Sequence, residues 1–123
     1  MEQLPPQVQE QFAQLQQTQQ QVQTLARQKQ QLEMNTNEVE RALEELNDMD
    51  EDTTIYKSIG GIMAKTDHPT AKEELEDKQE TLNLRLQQIE RQQEKARKKL
   101  EKLRGKIQDM LQGQGQQPPG GAD

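Results

Sequence analysis

Apolar residues recur at alternating spacings of three and four along two long stretches of this chain, and this heptad pattern constrains the fold most. In the first stretch the seam positions are Leu4, Val8, Gln11, Leu15, Thr18, Val22, Leu25, Lys29, Leu32, Thr36, Val39, Leu43 and Leu46. In the second they are Lys72, Leu75, Gln79, Leu82, Leu86, Ile89, Gln93, Ala96, Leu100, Leu103, Ile107 and Met110. Such a repeat predicts two long helices in a left-handed coiled coil.

Composition argues against an ordinary globular core. Only 28% of the 123 residues are hydrophobic, and Phe12 and Tyr56 are the only aromatic residues. Because 31% are charged, disorder competes with folding, but the regular apolar spacing favours a coiled coil. The chain has no cysteine, no apolar run long enough to cross a membrane and no signal-like N-terminus. We therefore expect a cytoplasmic protein that does not bind a membrane.

The stretch TIYKSIGGIMAKTD, residues 54–67, separates the two heptad runs and predicts a β-hairpin. Gly60 and Gly61 supply the positive φ angles of a two-residue turn. Pro5 and Pro6 fit the start of the first helix, and the second is expected to begin at Asp67 or Thr70. The predicted organisation is a helix over 1–48, a hairpin over 49–68, a helix over 69–111 and a flexible tail over 112–123.

Two helices of nearly equal length joined by a tight hairpin must run antiparallel. Seam residues then pair so that their numbers sum to 118, as in Leu15 with Leu103, because this register lies closest to twice the turn centre. Cysteine crosslinks that favour sums of 111 or 125 would refute it. Both chain ends then meet at one tip, far from the hairpin.

The hairpin lacks a surface on which to bury its apolar side chains, because the helix seams face each other. An isolated two-stranded hairpin is marginal in water and leaves both edges unpaired. We therefore predict that it joins a β-barrel between subunits. The predicted oligomerisation residues are Ile55, Tyr56, Ile59, Gly60, Gly61 and Ile62. The alternative is a loop that caps a monomeric coiled coil.

The tip is the candidate working surface. Phe12 and Leu111 occupy e positions beside the seam, and Gln11 and Thr18 weaken the seam nearby. We expect incomplete covering of the neighbouring apolar seam residues, which are Val8, Leu15, Ile107 and Met110. The alternative is that Phe12 and Leu111 only pad a fraying helix end.

The order of PPQVQ, QKQQLE, ALEEL, DTTIYKSIGGIMAKT and KEELEDKQETLNLRLQQIERQ resembles the beta class of archaeal prefoldin subunits, over roughly residues 3–112. The resemblance implies a hexamer of two alpha and four beta subunits, in which the hairpins form a double β-barrel that carries six coiled coils. It also implies capture of unfolded polypeptides without ATP and their transfer to a group II chaperonin. The implied substrate contacts are Val8, Phe12, Leu15, Ile107, Met110 and Leu111.

Other functional classes are poorly supported. His68, the only histidine, has no second histidine or cysteine to join and is interpreted as a turn residue. We predict no enzymatic activity, cofactor or metal. The basic run KARKKLEKLRGK could track phosphates, but the chain has a net charge of −6 and no aromatic stacking platform, so we predict no nucleic-acid binding. A coiled-coil scaffold or adaptor without chaperone action is the main alternative.

Overall fold

The computed structural model describes residues 4–115 and contains two helices joined by a β-hairpin, which confirms the predicted mainly α architecture. The elements in chain order are α1 (Pro6–Asn47), β1 (Thr54–Ile59), β2 (Ile62–Asp67) and α2 (His68–Gly115). Two compact units can be distinguished. Residues 28–89 form the central unit, which holds the hairpin, and the residues on either side of that range form the terminal unit.

Both helices begin where local sequence chemistry predicts. The carbonyl oxygen of Pro5 accepts a hydrogen bond from the amide of Gln9, so Pro6 provides the first helical residue of α1. In α2, the carboxylate of Asp67 accepts a hydrogen bond of 2.8 Å from the amide of Thr70. Asp67 is therefore the N-cap, and Thr70 lies inside the first turn.

The end of α2 differs from the prediction. The helix continues to Gly115, four residues past Leu111, where the sequence suggested a flexible tail from residue 112 onward. A helical glycine costs only about 1 kcal/mol relative to alanine, so Gly113 does not stop a helix that the preceding turns already hold. The rest of the predicted tail lies outside the described residues.

The heptad seam is confirmed by burial within each unit. All twelve predicted seam positions of α2 are buried or half-buried, and so are the twelve that fall within α1. Leu4, which precedes α1, is the exception, with 41% of its surface exposed. The buried apolar residues in the central unit are Val39, Leu46, Ala71 and Leu82; those in the terminal unit are Val8, Leu25, Ala96, Leu103 and Ile107.

Two polar seam residues are accommodated without loss of burial. Thr36 is buried, and its hydroxyl donates a hydrogen bond of 2.8 Å to the carbonyl oxygen of Leu32 one turn earlier. That bond satisfies the hydroxyl inside the helix that carries it. Lys29 is half-buried, which a lysine tolerates because its methylene stem can lie along apolar surface.

The predicted helix register is supported inside the terminal unit. Gln21 of α1 shares a small cleft with four residues of α2, which are Gln92, Lys95, Ala96 and Lys99. A register sum of 118 places Gln21 opposite position 97, in the middle of this set. Sums of 111 or 125 would place it opposite positions 90 or 104, outside the set.

The hairpin has the predicted turn. Gly60 and Gly61 have φ angles of 52° and 87°, and Ile59 pairs directly with Ile62 across the turn. A side chain at either glycine would meet no neighbouring atom, so the requirement for glycine comes from the backbone conformation. The register continues to the pair of Thr54 and Asp67.

Removing the α2 cap should lower thermal stability. The backbone hydrogen bond from Thr70, followed by its side-chain hydrogen bond, lowers the pKa of Asp67. A carboxylate with a depressed pKa stabilises the fold above its unfolded pKa, and the contribution is lost as pH falls through the folded value. We expect Asp67→Ala to lower Tm at neutral pH and to lose this effect in strong acid, whereas Asp67→Asn, which also caps helices, stays near wild type. Thermal melts by circular dichroism across pH test this; an equal loss in both variants would contradict it.

Neither helix, over the part of the chain that the structure describes, is long and apolar enough to cross a membrane.

Candidate functional site

The terminal unit places the six predicted substrate contacts in two groups. Val8 and Ile107 are buried, with exposed fractions of 0% and 5%, so the expectation that they are incompletely covered is wrong. Both are seam residues, and they are covered even with Gln11 in the same seam. Phe12, Leu15 and Met110 are half-buried, and Leu111 is 38% exposed. The second group provides the accessible apolar surface.

A shallow cleft on the outer side of α1 adds to this surface. Its lining residues are Leu4, Gln9, Phe12, Ala13 and Gln16. The side-chain amide of Gln9 donates a hydrogen bond of 2.8 Å to the carbonyl oxygen of Leu4, which holds the residues before the helix against its first turn. The sequence had assigned Leu4 to the seam. Leu4 precedes Pro6, the first residue of α1, and this position in the sequence indicates that Leu4 lies outside the helical seam.

Gln11 marks an imperfect point in the seam. Its side-chain carbonyl oxygen is buried and has no hydrogen-bond partner among the described residues. An unsatisfied buried acceptor costs about 1–3 kcal/mol, so the pairing near the helix ends is weaker than an all-apolar seam would be. The seam is therefore weakened at Gln11 by this unpaired polar atom, while the apolar seam residues Val8 and Ile107 remain buried.

The hairpin exposes most of its apolar side chains. Tyr56, Ile59, Ile62 and Met63 are all exposed. Tyr56 and Met63 lie on one face of the two-stranded sheet, and Ile59 and Ile62 lie on the other, next to the turn. Met63 was absent from the predicted set, although strand alternation places it on the face of Tyr56. The outer edge of each strand pairs with no other described strand.

One face of the hairpin is partly covered by its own chain, which corrects an expectation. Ile55 is half-buried, so the helices do provide some cover. Lys57, on the same face, forms an ion pair of 3.0 Å with Glu74 of α2. The hairpin therefore folds back against the first turns of α2 and leaves the opposite face and the turn open.

His68 is not the turn residue that the sequence suggested. It is the first residue of α2 and is buried. Its ring Nε2 lies 2.6 Å from the carbonyl oxygen of Leu46, so this nitrogen carries the hydrogen and donates it. The same carbonyl, near the end of α1, also accepts a hydrogen bond of 3.0 Å from the amide of Met49, so His68 is its second donor. Within residues 4–115 no group of three or more metal-binding side chains occurs.

Comparison with known proteins agrees with this arrangement. A statistical profile of the family described as Prefoldin subunit matches residues 9–114. The chain belongs to the prefoldin family. Prefoldin subunit beta of Thermococcus gammatolerans is 46% identical over 111 residues, which cover 90% of this chain and 95% of that protein. Prefoldin subunit beta of Methanosarcina acetivorans is 45% identical over 108 residues, covering 88% and 92%.

The same likeness holds in three dimensions. The crystal structure of the prefoldin beta subunit from Thermococcus strain KS-1 superposes with a TM-score of 0.81 at 40% sequence identity, covering 90% of this chain and 97% of that one. Membership of the prefoldin family implies a chaperone-related role.

Proposed function

We propose that this chain is a prefoldin subunit of the beta type that captures unfolded polypeptides without nucleotide and passes them to a group II chaperonin. The observation that carries this proposal is the apolar surface of the terminal unit, formed by Leu4, Phe12 and Leu111 with half-buried Leu15 and Met110. This surface lies among glutamines, and Glu10 is the only charged residue between positions 4 and 26. It suits apolar segments of varied sequence.

Weak binding at one tip becomes effective when several tips act together. Full burial of one apolar side chain is worth about 1.5–3 kcal/mol, so a single coiled coil holds a client weakly. Tethering several to one body raises the effective concentration, and avidity then exceeds the affinity of a single site by about 10²-fold or more. Capture by many weak sites requires no ATP, and the client can leave one arm at a time.

The hairpin provides the means of assembly in this proposal. Its exposed apolar face, with Tyr56 and Met63, its exposed turn residues Ile59 and Ile62, and its open strand edges are suited to pairing with strands of other subunits. We propose the prefoldin arrangement of two alpha and four beta subunits in a hexamer, with an alpha subunit as partner and a cytoplasmic location. Val8 and Ile107 hold the seam beneath the client surface in this scheme.

The proposed function is tested by making the tip polar. Phe12→Ser combined with Leu111→Ser should leave assembly and helix content unchanged, because neither residue is in the buried seam. Client affinity should fall by about tenfold or more, from the apolar burial lost at each tip. The measurement is light scattering of an aggregating client, alongside native mass spectrometry of the complex.

The matched control is Met34→Ser with Leu84→Ser, which removes two exposed apolar side chains from the same helices in the central unit. Protection should persist in this variant. If the tip variant protects the client as well as wild type, capture does not occur at the tip, and the scaffold or adaptor function becomes the better account.

A further inference from the structure

The charges of α2 near its end are only partly neutralised within the chain. Arg97 forms ion pairs of 2.7 Å with Glu94 and 2.8 Å with Glu101, and Lys98 lies 3.9 Å from Glu94. The hydrogen bonds from Arg97 lower the pKa of Glu94, so that carboxylate is ionised and engaged at neutral pH. The two acidic residues in this part of the helix are thus already occupied by Arg97 and Lys98.

Four bases that follow this network have no such partner. Lys99, Lys102, Arg104 and Lys106 are exposed, and none forms an ion pair with another described residue. We call these four residues the basic strip. Residues 93–111 as a whole hold seven bases and three acids, a local charge of +4.

The facing helix does not neutralise the strip. In many coiled coils the charges beside the seam pair with opposite charges on the other helix. Here glutamine is the commonest residue of α1 in the terminal unit, and Glu10 is the only acidic residue between positions 4 and 26. The positive potential of α2 therefore extends into solvent, where it attracts an external negative group.

One member of the basic strip, Arg104, borders the apolar surface. Phe12, Arg104 and Leu111 all occupy e positions of their heptads, and the e positions of an antiparallel pair lie along the same side of the seam. A segment that rests on Phe12 and Leu111 consequently has Arg104 beside it. Lys99 and Lys106 occupy g positions across the seam and Lys102 a c position, so they contribute through the positive potential around the tip.

We infer that the tip selects unfolded segments in which Asp or Glu residues flank an apolar stretch. This inference rests on the proposed function and deepens it, because it assigns a charge preference to the same site. Electrostatic attraction accelerates encounter with such segments, and the apolar contacts then hold them. Segments flanked by Lys or Arg are repelled at the same place.

A single-stranded nucleic acid would also satisfy the charge of the strip, but the terminal unit fits a peptide better. Binding of bases without sequence preference relies on several aromatic side chains for stacking. Phe12 and Tyr56 are the only aromatic residues of the chain, and Tyr56 belongs to the central unit. The single ring of Phe12 lies beside Leu4 and Ala13, and such a surface suits apolar side chains better than stacked bases.

The test uses the full chain in its assembled form and three fluorescent peptides that share one apolar core and carry Glu, Gln or Lys flanks. Fluorescence anisotropy should show about tenfold tighter binding of the Glu peptide than of the Lys peptide at about 0.05 M salt. The ratio should fall below about twofold at about 0.5 M salt, where screening is strong.

Two variants of equal charge change locate the effect. Replacing the basic strip by glutamine (Lys99→Gln, Lys102→Gln, Arg104→Gln and Lys106→Gln) should abolish the preference and leave binding of the Gln peptide unchanged. The control neutralises four exposed bases elsewhere and should retain the preference; it carries Arg41→Gln, Lys78→Gln, Arg85→Gln and Arg91→Gln.

The outcomes separate the two proposals. Equal binding of the Glu and Lys peptides, or a preference that survives in the strip variant, overturns the inference but leaves the proposed function intact if the Gln peptide binds. Failure of all three peptides to bind refutes both. If single-stranded DNA displaces the Glu peptide more strongly than an excess of unlabelled Glu peptide does, the strip belongs to a nucleic-acid site and the inference is wrong.

Discussion

Replacing Ile59 and Ile62 by aspartate is expected to leave the complex unassembled while both helices still form. The two isoleucines pair directly across the turn and are exposed in the chain, so their apolar surface is available to other subunits. A carboxylate at each position would have to be buried without a partner at the interface, which costs several kcal/mol per subunit. Because every copy carries the change, the penalty is repeated around the assembly.

Native mass spectrometry of the chain, alone and mixed with a two-hairpin partner subunit, measures this effect, and far-UV circular dichroism reports helix content. Ile59→Val with Ile62→Val is the control; it keeps apolar β-branched side chains at both positions and should assemble. Full assembly of the aspartate variant would show that the hairpin turn is not part of the interface.

Truncation of Leu82 to alanine should destabilise the chain far more than the same change at Leu84. Leu82 is a seam residue with 4% of its surface exposed, whereas Leu84, two residues later on the same helix, is 55% exposed. Loss of a buried leucine side chain costs about 2–5 kcal/mol, because the cavity left behind is only partly filled. Exposed substitutions of this kind usually stay within about 0.5 kcal/mol.

Urea unfolding followed by circular dichroism, at one fixed protein concentration, compares the two variants. Helix propensity cancels in the comparison, since both changes replace leucine by alanine within α2. A loss at Leu84 equal to that at Leu82 would mean that the heptad assignment is shifted, or that Leu84 is buried by another subunit.

The seam was predictable because a coiled coil is specified by spacing alone. A run such as Leu25, Leu32, Val39 and Leu46 states which side of α1 is covered without reference to any distant residue. The turn was also predictable, because two consecutive glycines between strands rich in β-branched residues are typical of a two-residue hairpin turn. For the start of α2, the sequence leaves two candidates, Asp67 and Thr70. The hydrogen bond from the amide of Thr70 to the carboxylate of Asp67 identifies Asp67 as the N-cap.

The features that spacing did not reveal depend on contacts between distant parts of the chain. Gln11 suggested a loose seam, but covering depends on the opposing side chains, and Val8 and Ile107 are buried despite it. The cover of Ile55 follows from how the hairpin folds back, as the ion pair between Lys57 and Glu74 indicates. No heptad or strand pattern specifies this position of the hairpin against the helix.

The hydrogen bond from His68 to Leu46 has a consequence for protein engineering. It joins the first residue of α2 to the last turn of α1, so the twenty-one residues between these two positions start and finish at one fixed junction. That intervening piece should be exchangeable as a cassette. A hairpin from another subunit, grafted between Leu46 and His68, would change which neighbours the chain recruits while the arms stay as they are.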